Sequence, residues 1–190
     1  TKLEAPLLGL LPWIRSKHGK FELQRAFSED KEHAFTEAVR TLRTGVLMSA
    51  LDSPHRTILV TSSLPEEGKT SVATNLALAL AQLKRTCLVD ADMRRPQLAK
   101  ILGVDPNAPG LSQLVAGTEP QEKCIHVYRD SNLSFIPSGP VPANPLELLS
   151  SRRFGEVLKN IEESFDVVIF DSPPVQLVSD AVVLAERSRA

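Results

Sequence analysis

One stretch narrows the fold more than any other. In 57-TILVTSSLPEEGKTSVATNLALALAQLK-84 an apolar run of strand composition leads into a polar turn. The turn passes through Gly68, Lys69 and Thr70 straight into an Ala- and Leu-rich run with high helix propensity. Strand, loop and helix in that order form the first half of a βαβ unit. The chain keeps the alternation. Residues 86–92 (TCLVDAD) predict a second strand, Pro96 starts a short helix toward Leu102, residues 146–164 have helical pattern, and 166–171 (DVVIFD) predict another strand. Upstream, Phe35, Val39, Leu42 and Val46 recur at helical spacing within 31–50, and 179–190 begin a further helix. Residues 103–145 are loop-rich, with a helical piece at 111–117 and a strand at 133–137. The strands are nearly continuous in apolar residues, as in a sheet covered on both faces. The fold class that follows is α/β, with a doubly wound, mostly parallel sheet.

The loop between the first strand and helix has a specific chemistry. In the phosphate-binding P-loop pattern two glycines bracket four residues ahead of Lys and Ser/Thr. Here Ser63 stands at the first glycine position, and Gly68-Lys69-Thr70 completes the second half. Backbone N–H groups of such a loop, and the helix N-terminus behind it, point at bound phosphate. Lys69 would reach the β- and γ-phosphates of a nucleotide, and the Thr70 hydroxyl would ligate Mg²⁺. The phosphate-contacting set is Ser63, Glu67, Gly68, Lys69, Thr70 and Ser71, with Arg94 from the next loop. Glu66 and Glu67 look misplaced beside an anion. Their side chains point outward, or one contacts the metal or a neighbouring subunit.

Three aspartates complete the site. Asp171 ends an apolar strand, where a Walker B acid holds Mg²⁺ in nucleotide-hydrolysing folds. Asp90 and Asp92 alternate at the end of the second strand, a spacing that puts both on one side of an extended chain. Two carboxylates so close are unfavourable without a cation nearby. They read as metal-adjacent acids, one of them placed to accept a hydroxyl proton. The competing reading is a pair of turn-forming acids that cap the helix near Pro96. The catalytic set is Lys69, Asp90, Asp92 and Asp171, and the metal set Thr70, Asp90 and Asp171. Arg94 and Arg95 suit phosphate, and for Arg95 a surface ion pair fits equally well.

Composition bounds the rest. A chain of 190 residues suits one α/β domain, and its net charge of -1 argues against nucleic acid as a partner. No apolar run is long enough to span a bilayer, and no signal peptide is visible. The chain does not start with Met, which predicts that it begins inside a longer protein. Cys87 and Cys124 lack metal spacing and read as buried, reduced thiols. Residues 1–30 read as a leader with a basic cluster of Arg15, Lys17, His18, Lys20 and Arg25. The cluster suits either a solvated linker or a contact with anionic lipid.

Taken together, SSLPEEGKT (62–70), LVDADMRRP (88–96) and VVIFDSPP (167–174) resemble the three Walker motifs of the bacterial tyrosine kinases. EAVRTLRT (37–44) is similar to that family's E-x-x-R-x-x-R oligomerisation motif. GLSQLVAG (110–117), residues 132–151 and VSDA (178–181) also resemble it, and the likeness covers about residues 34–190. The leader, with LGLLPWI at 8–14, is similar to the segment after the second transmembrane helix of the proteobacterial form. There the kinase is fused to a membrane-embedded polysaccharide co-polymerase.

The resemblance implies an ATP- and Mg²⁺-dependent kinase that phosphorylates its own tyrosines in trans. It implies assembly as a homo-oligomeric ring through Glu37, Arg40 and Arg43, and control of exopolysaccharide or capsule export from the cytoplasmic side of the bacterial inner membrane. Its substrate is a tyrosine-rich tail. This chain stops at Ala190, before the next strand of the family, and its single tyrosine, Tyr128, reads as a partly buried structural residue. The domain division is thus a leader at 1–30 and a kinase domain at 31–190, truncated at its C-terminus. Two alternatives stand beside the kinase. A Min- or Par-type ATPase would carry a signature lysine where this chain has Leu64, and Arg43 is a candidate to supply trans-acting charge in its absence. A non-enzymatic module would use ATP only to control assembly.

Overall fold

The computed structural model describes residues 6–14, 26–29, 33–52, 56–129 and 131–187. The basic cluster at 15–25 and the expected boundary at 30/31 lie outside the described residues.

The elements alternate as the pattern predicts. Helices α1 (Ala26–Glu29) and α2 (His33–Asp52) precede strand β1 (Thr57–Val60). Helix α3 (Lys69–Ala81), β2 (Thr86–Asp90), α4 (Leu98–Leu102), α5 (Leu111–Ala116) and α6 (Gln121–Cys124) follow. Then come β3 (His126–Val127), β4 (Leu133–Ile136), α7 (Pro145–Ser150), α8 (Arg152–Ser164), β5 (Val167–Asp171) and α9 (Asp180–Arg187). The sheet order is β1-β5-β2-β4-β3, with β1, β5, β2 and β4 parallel and β3 antiparallel on β4.

Period-two alternation places the core on both faces. On β5, Val167 and Ile169 pack with α1–α4, whereas Val168 and Phe170 pack with α5, α7, α8 and α9. On β2, Leu88 joins the first layer, and Cys87 and Val89 join the second. Cys87 and Cys124 are both buried and free, as their spacing suggested, and burial pushes both thiols up. Tyr128 is buried at 5% exposure. β1 is an edge strand of the described sheet, and its residues are only half-buried.

Three differences from the sequence reading have local causes. The helix expected over 146–164 is two helices. Ser151 takes an extended conformation between them, and its hydroxyl accepts from the Phe154 N–H to cap α8. The two-residue β3 has too little pattern to read. The leader is not a free linker throughout. Leu11 and Ile14 pack against the core, Phe27 is buried at 6% exposure, and its N–H donates to Asn75 Oδ1 at 2.8 Å.

Candidate functional site

The site lies at the C-terminal ends of β1, β5 and β2. Register puts Asp171 opposite Val60 on one side and Asp90 on the other. The loop 61–68 leaves β1 and enters α3 through Gly68, whose φ of 89° is a left-handed conformation that glycine adopts without strain. Lys69 and Thr70 thereby open the helix, with its positive dipole end toward the cleft. A cavity of about 650 Å³ opens there. One wall is Pro65, Glu66, Gly68, Lys69, Thr70 and Ser71; the second is Asp92, Arg94, Arg95 and Gln97; the third is Pro173, Pro174, Leu177 and Val178.

Lys69 is the electrostatic centre. Its Nζ lies 2.9 Å from Asp92 Oδ2 and 3.8 Å from Asp171 Oδ1, and all three side chains are largely shielded from solvent. Asp92 is held in turn by the Arg95 N–H, which donates to its Oδ1 at 3.1 Å. Burial raises the Asp171 carboxyl to about 6, opposed by the neighbouring Lys69 charge.

The two acids at the end of β2 do not act alike. Asp90 is fully buried, and its Oδ2 accepts from the N–H groups of Gln97 and Leu98, each at 3.0 Å. That caps the first turn of α4, which the sequence reading held as the competing role for this pair. Burial, with Asp171 adding repulsion, raises the Asp90 carboxyl to about 8. Strand β2 ends at Asp90, but the Ala91 N–H still donates to Asp171 O at 2.9 Å, and the turn closed by the Arg95 N–H on Asp92 O at 3.2 Å starts only at Asp92. Asp92 faces the cavity, and Asp90 supports the loop from beneath.

The other expected residues divide similarly. Gly68, Lys69, Thr70, Ser71 and Arg94 line the cavity; Ser63 and Glu67 do not. Glu67 folds back on its own loop, where its Oε2 accepts from the N–H groups of Ser63 at 2.8 Å and Leu64 at 3.0 Å. Neither a metal nor a neighbour is needed to explain that carboxylate. Arg94 forms a bidentate pair with Asp180, Nε to Oδ2 at 3.0 Å and Nη2 to Oδ1 at 3.2 Å. Of the interface trio, Glu37 and Arg40 pair with each other on the surface. Arg43 instead donates to Ala79 O at 3.1 Å and Gln82 Oε1 at 3.0 Å, fastening α2 to the end of α3. Its guanidinium is thus engaged within its own chain. The sequence reading missed the third wall and Asp180. An acid opening a predicted helix, in VSDA, was the available signal for the latter.

The donor set fits a divalent cation. Oδ1 of Asp171 and Oδ1 of Asp90 are buried without a hydrogen-bond partner. Among the described residues no three His, Cys, Asp or Glu side chains form a metal cage. Mg²⁺ commonly takes one or two carboxylates and completes its shell with phosphate and water.

This geometry has relatives. A family model described as an AAA domain matches residues 56–186. The tyrosine-protein kinase ptk of Acinetobacter johnsonii is 39% identical over 151 residues, 79% of this chain and 20% of that protein. The kinase domain of Escherichia coli tyrosine kinase ETK superposes with a TM-score of 0.80 at 32% identity, over 92% of this chain and 67% of that one. This chain belongs to the bacterial tyrosine kinases. The likeness of these kinases to wider P-loop ATPases is visible too. MinD of Pyrococcus horikoshii, complexed with Mg-ADP, superposes with a TM-score of 0.58 at 28% identity, over 70% of this chain and 54% of that one. Against the ptk kinase the chain spans about a fifth of the length.

Proposed function

We propose that the chain is the ATP-dependent protein tyrosine kinase core of a longer bacterial tyrosine kinase. The observation that carries this reading is Lys69, held between Asp92 at 2.9 Å and Asp171 at 3.8 Å on the edge of a cavity walled by the loop of a helix N-terminus. Phosphoryl transfer needs positioned phosphates and neutralised charge rather than covalent catalysis. Nucleotide phosphate would draw the Lys69 ammonium away from Asp92. That frees an acid facing the cavity to take the proton of a tyrosine hydroxyl as its oxygen bonds to the γ-phosphorus and the bond to ADP breaks. Gly68, Lys69, Thr70 and Ser71 hold the phosphates. Thr70, Asp171 and the free Oδ1 of Asp90 would hold Mg²⁺, whose charge would offset that of the phosphate oxygens. Asp90 fixes the loop that carries Asp92.

By family, the substrate is a tyrosine-rich tail and the physiological role is control of exopolysaccharide or capsule export. The exposed Glu37–Arg40 pair on α2 suits an interface between copies in a ring. The chain would work on the cytoplasmic side of the inner membrane, beside a co-polymerase segment that spans it. No helix among the described residues is long and apolar enough to cross a membrane.

The test is phosphotyrosine formation on an added tyrosine-rich peptide with Mg-ATP, comparing the wild type with Lys69→Ala and Asp92→Ala. Transfer that both variants lose supports the kinase. ATP binding that changes oligomer size without phosphotyrosine would replace it with the assembly module.

A further inference from the structure

The three walls of the cleft are tied to one another in pairs. Lys69 Nζ bonds Asp92 at 2.9 Å and joins the phosphate loop to the loop after β2. The Val175 N–H donates to Ser62 O at 2.9 Å, and Thr61 Oγ1 donates to Pro173 O at 2.9 Å, joining the first wall to the loop after β5. The ring is closed by Arg94 and Asp180, which join the loop after β2 to the first residue of α9. Arg94 is 41% exposed and Asp180 only 1%. A carboxylate that deep needs its partner, because an unpaired buried charge costs several kcal/mol. The planar guanidinium meets it with two parallel bonds, which fixes direction as well as distance.

Nucleotide phosphate competes for one of these ties, since Lys69 cannot serve Asp92 and phosphate at full strength together. The Arg94–Asp180 pair does not depend on Lys69. Resting on the kinase reading above, we propose that Arg94 and Asp180 are positioning residues. They form a clamp that keeps Asp92 and the loop 172–179 in register after Lys69 turns to the nucleotide. Arg94 then acts through Asp180 rather than as a phosphate ligand, and Asp180 gains a role that neither its burial nor its helix position alone gives it.

The clamp predicts a particular kinetic pattern. Arg94→Ala and Asp180→Asn should leave Mg-nucleotide affinity within about threefold of wild type, measured with a fluorescent ATP analogue. Both should lower kcat for peptide phosphorylation by about tenfold to a hundredfold, the range that a misplacement of about 1 Å produces. The double variant should be no worse than either single one, because each single change already opens the clamp. Arg94→Lys keeps the charge without the fork and should recover only part of the rate. Backbone amides of 172–179 should exchange hydrogen faster in both single variants. Circular dichroism melts would show that each variant folds.

Arg94→Ala that weakens nucleotide binding while Asp180→Asn leaves binding and rate unchanged would overturn the clamp and make Arg94 a phosphate ligand. Unchanged kcat and unchanged exchange in Asp180→Asn would overturn it as well. A wild type that transfers no phosphoryl group would refute the kinase reading instead. The exchange measurement would still decide whether the clamp holds the loop.

Discussion

At the scale of single residues, Glu67 carries the least intuitive role. A carboxylate beside a phosphate loop suggests repulsion, yet here it gathers two backbone N–H groups at the point where the usual first glycine is Ser63. If it orders the loop, Glu67→Ala should weaken Mg-ATP binding. Hydrogen bonds to a charged group on an exposed loop suggest a loss of about 1 kcal/mol, roughly fivefold in affinity. Glu67→Gln keeps an acceptor oxygen and should lose less. Titration with a fluorescent nucleotide distinguishes the two effects by sign, because tighter binding by the alanine variant would mean that repulsion dominates. One residue earlier in the loop, Glu66 has a φ of 66°. A non-glycine residue there carries strain that Gly68 does not, and its side chain is left exposed at the mouth of the cleft.

At the scale of elements, α2 shows why one motif served two purposes. The sequence placed Glu37, Arg40 and Arg43 together because they are spaced by three. Their partners separate them, since Arg43 bonds the end of α3 while Glu37 and Arg40 pair with each other. Arg43→Ala should therefore lower stability by about 1 kcal/mol, a Tm drop of about 3 °C for a domain of this size. Glu37→Ala should leave Tm unchanged, since exposed ion pairs contribute little, whereas Arg40→Ala also removes the guanidinium 5.9 Å above the Phe27 ring and should cost about 0.5 kcal/mol. Differential scanning fluorimetry at a concentration where the chain is monomeric would check both. Any loss of assembly in the Arg43 variant then includes a loss of fold, which sedimentation alone would misread.

The same scale shows how much was legible. Strands β1, β2 and β5 were readable because parallel strands with helices packed on both faces are runs of apolar residues, and this holds even for the half-buried edge strand β1. The phosphate loop was readable because its chemistry needs a fixed spacing. The break at Ser151 was not, because 146–164 keeps one apolar face across it and only a local serine–backbone bond decides for two helices. The separation of Asp90 from Asp92 was hidden for a similar reason. Strand alternation predicts one side for both but not their partners: Asp90 accepts from the N–H groups of Gln97 and Leu98, whereas Asp92 meets Lys69.

At the scale of the whole molecule, the buried acids of the cleft set how stability responds to pH. Burial raises the Asp90 carboxyl to about 8 and the Asp171 carboxyl to about 6, against about 3.9 in an unfolded chain. The folded state thus binds protons that the unfolded state has already released. This contribution to stability is complete below about pH 4 and is lost as pH rises through about 6 and then about 8. Between those two values the fold holds one extra proton, on Asp90, so stability should fall by about 1.4 kcal/mol per pH unit. For a domain of this size that is roughly 4 °C in Tm per unit. Asp90→Asn removes the titrating group and keeps an acceptor oxygen for the cap of α4. Its thermal melts should therefore be much flatter between pH 6 and pH 8 than those of the wild type. Asp90→Ala removes the cap as well and should be about 1–3 kcal/mol less stable than Asp90→Asn at every pH. A wild-type Tm that rises across the same window would place the charged form of Asp90 at an advantage in the fold, and its burial beneath Asp92 would then need a compensating cation even without nucleotide.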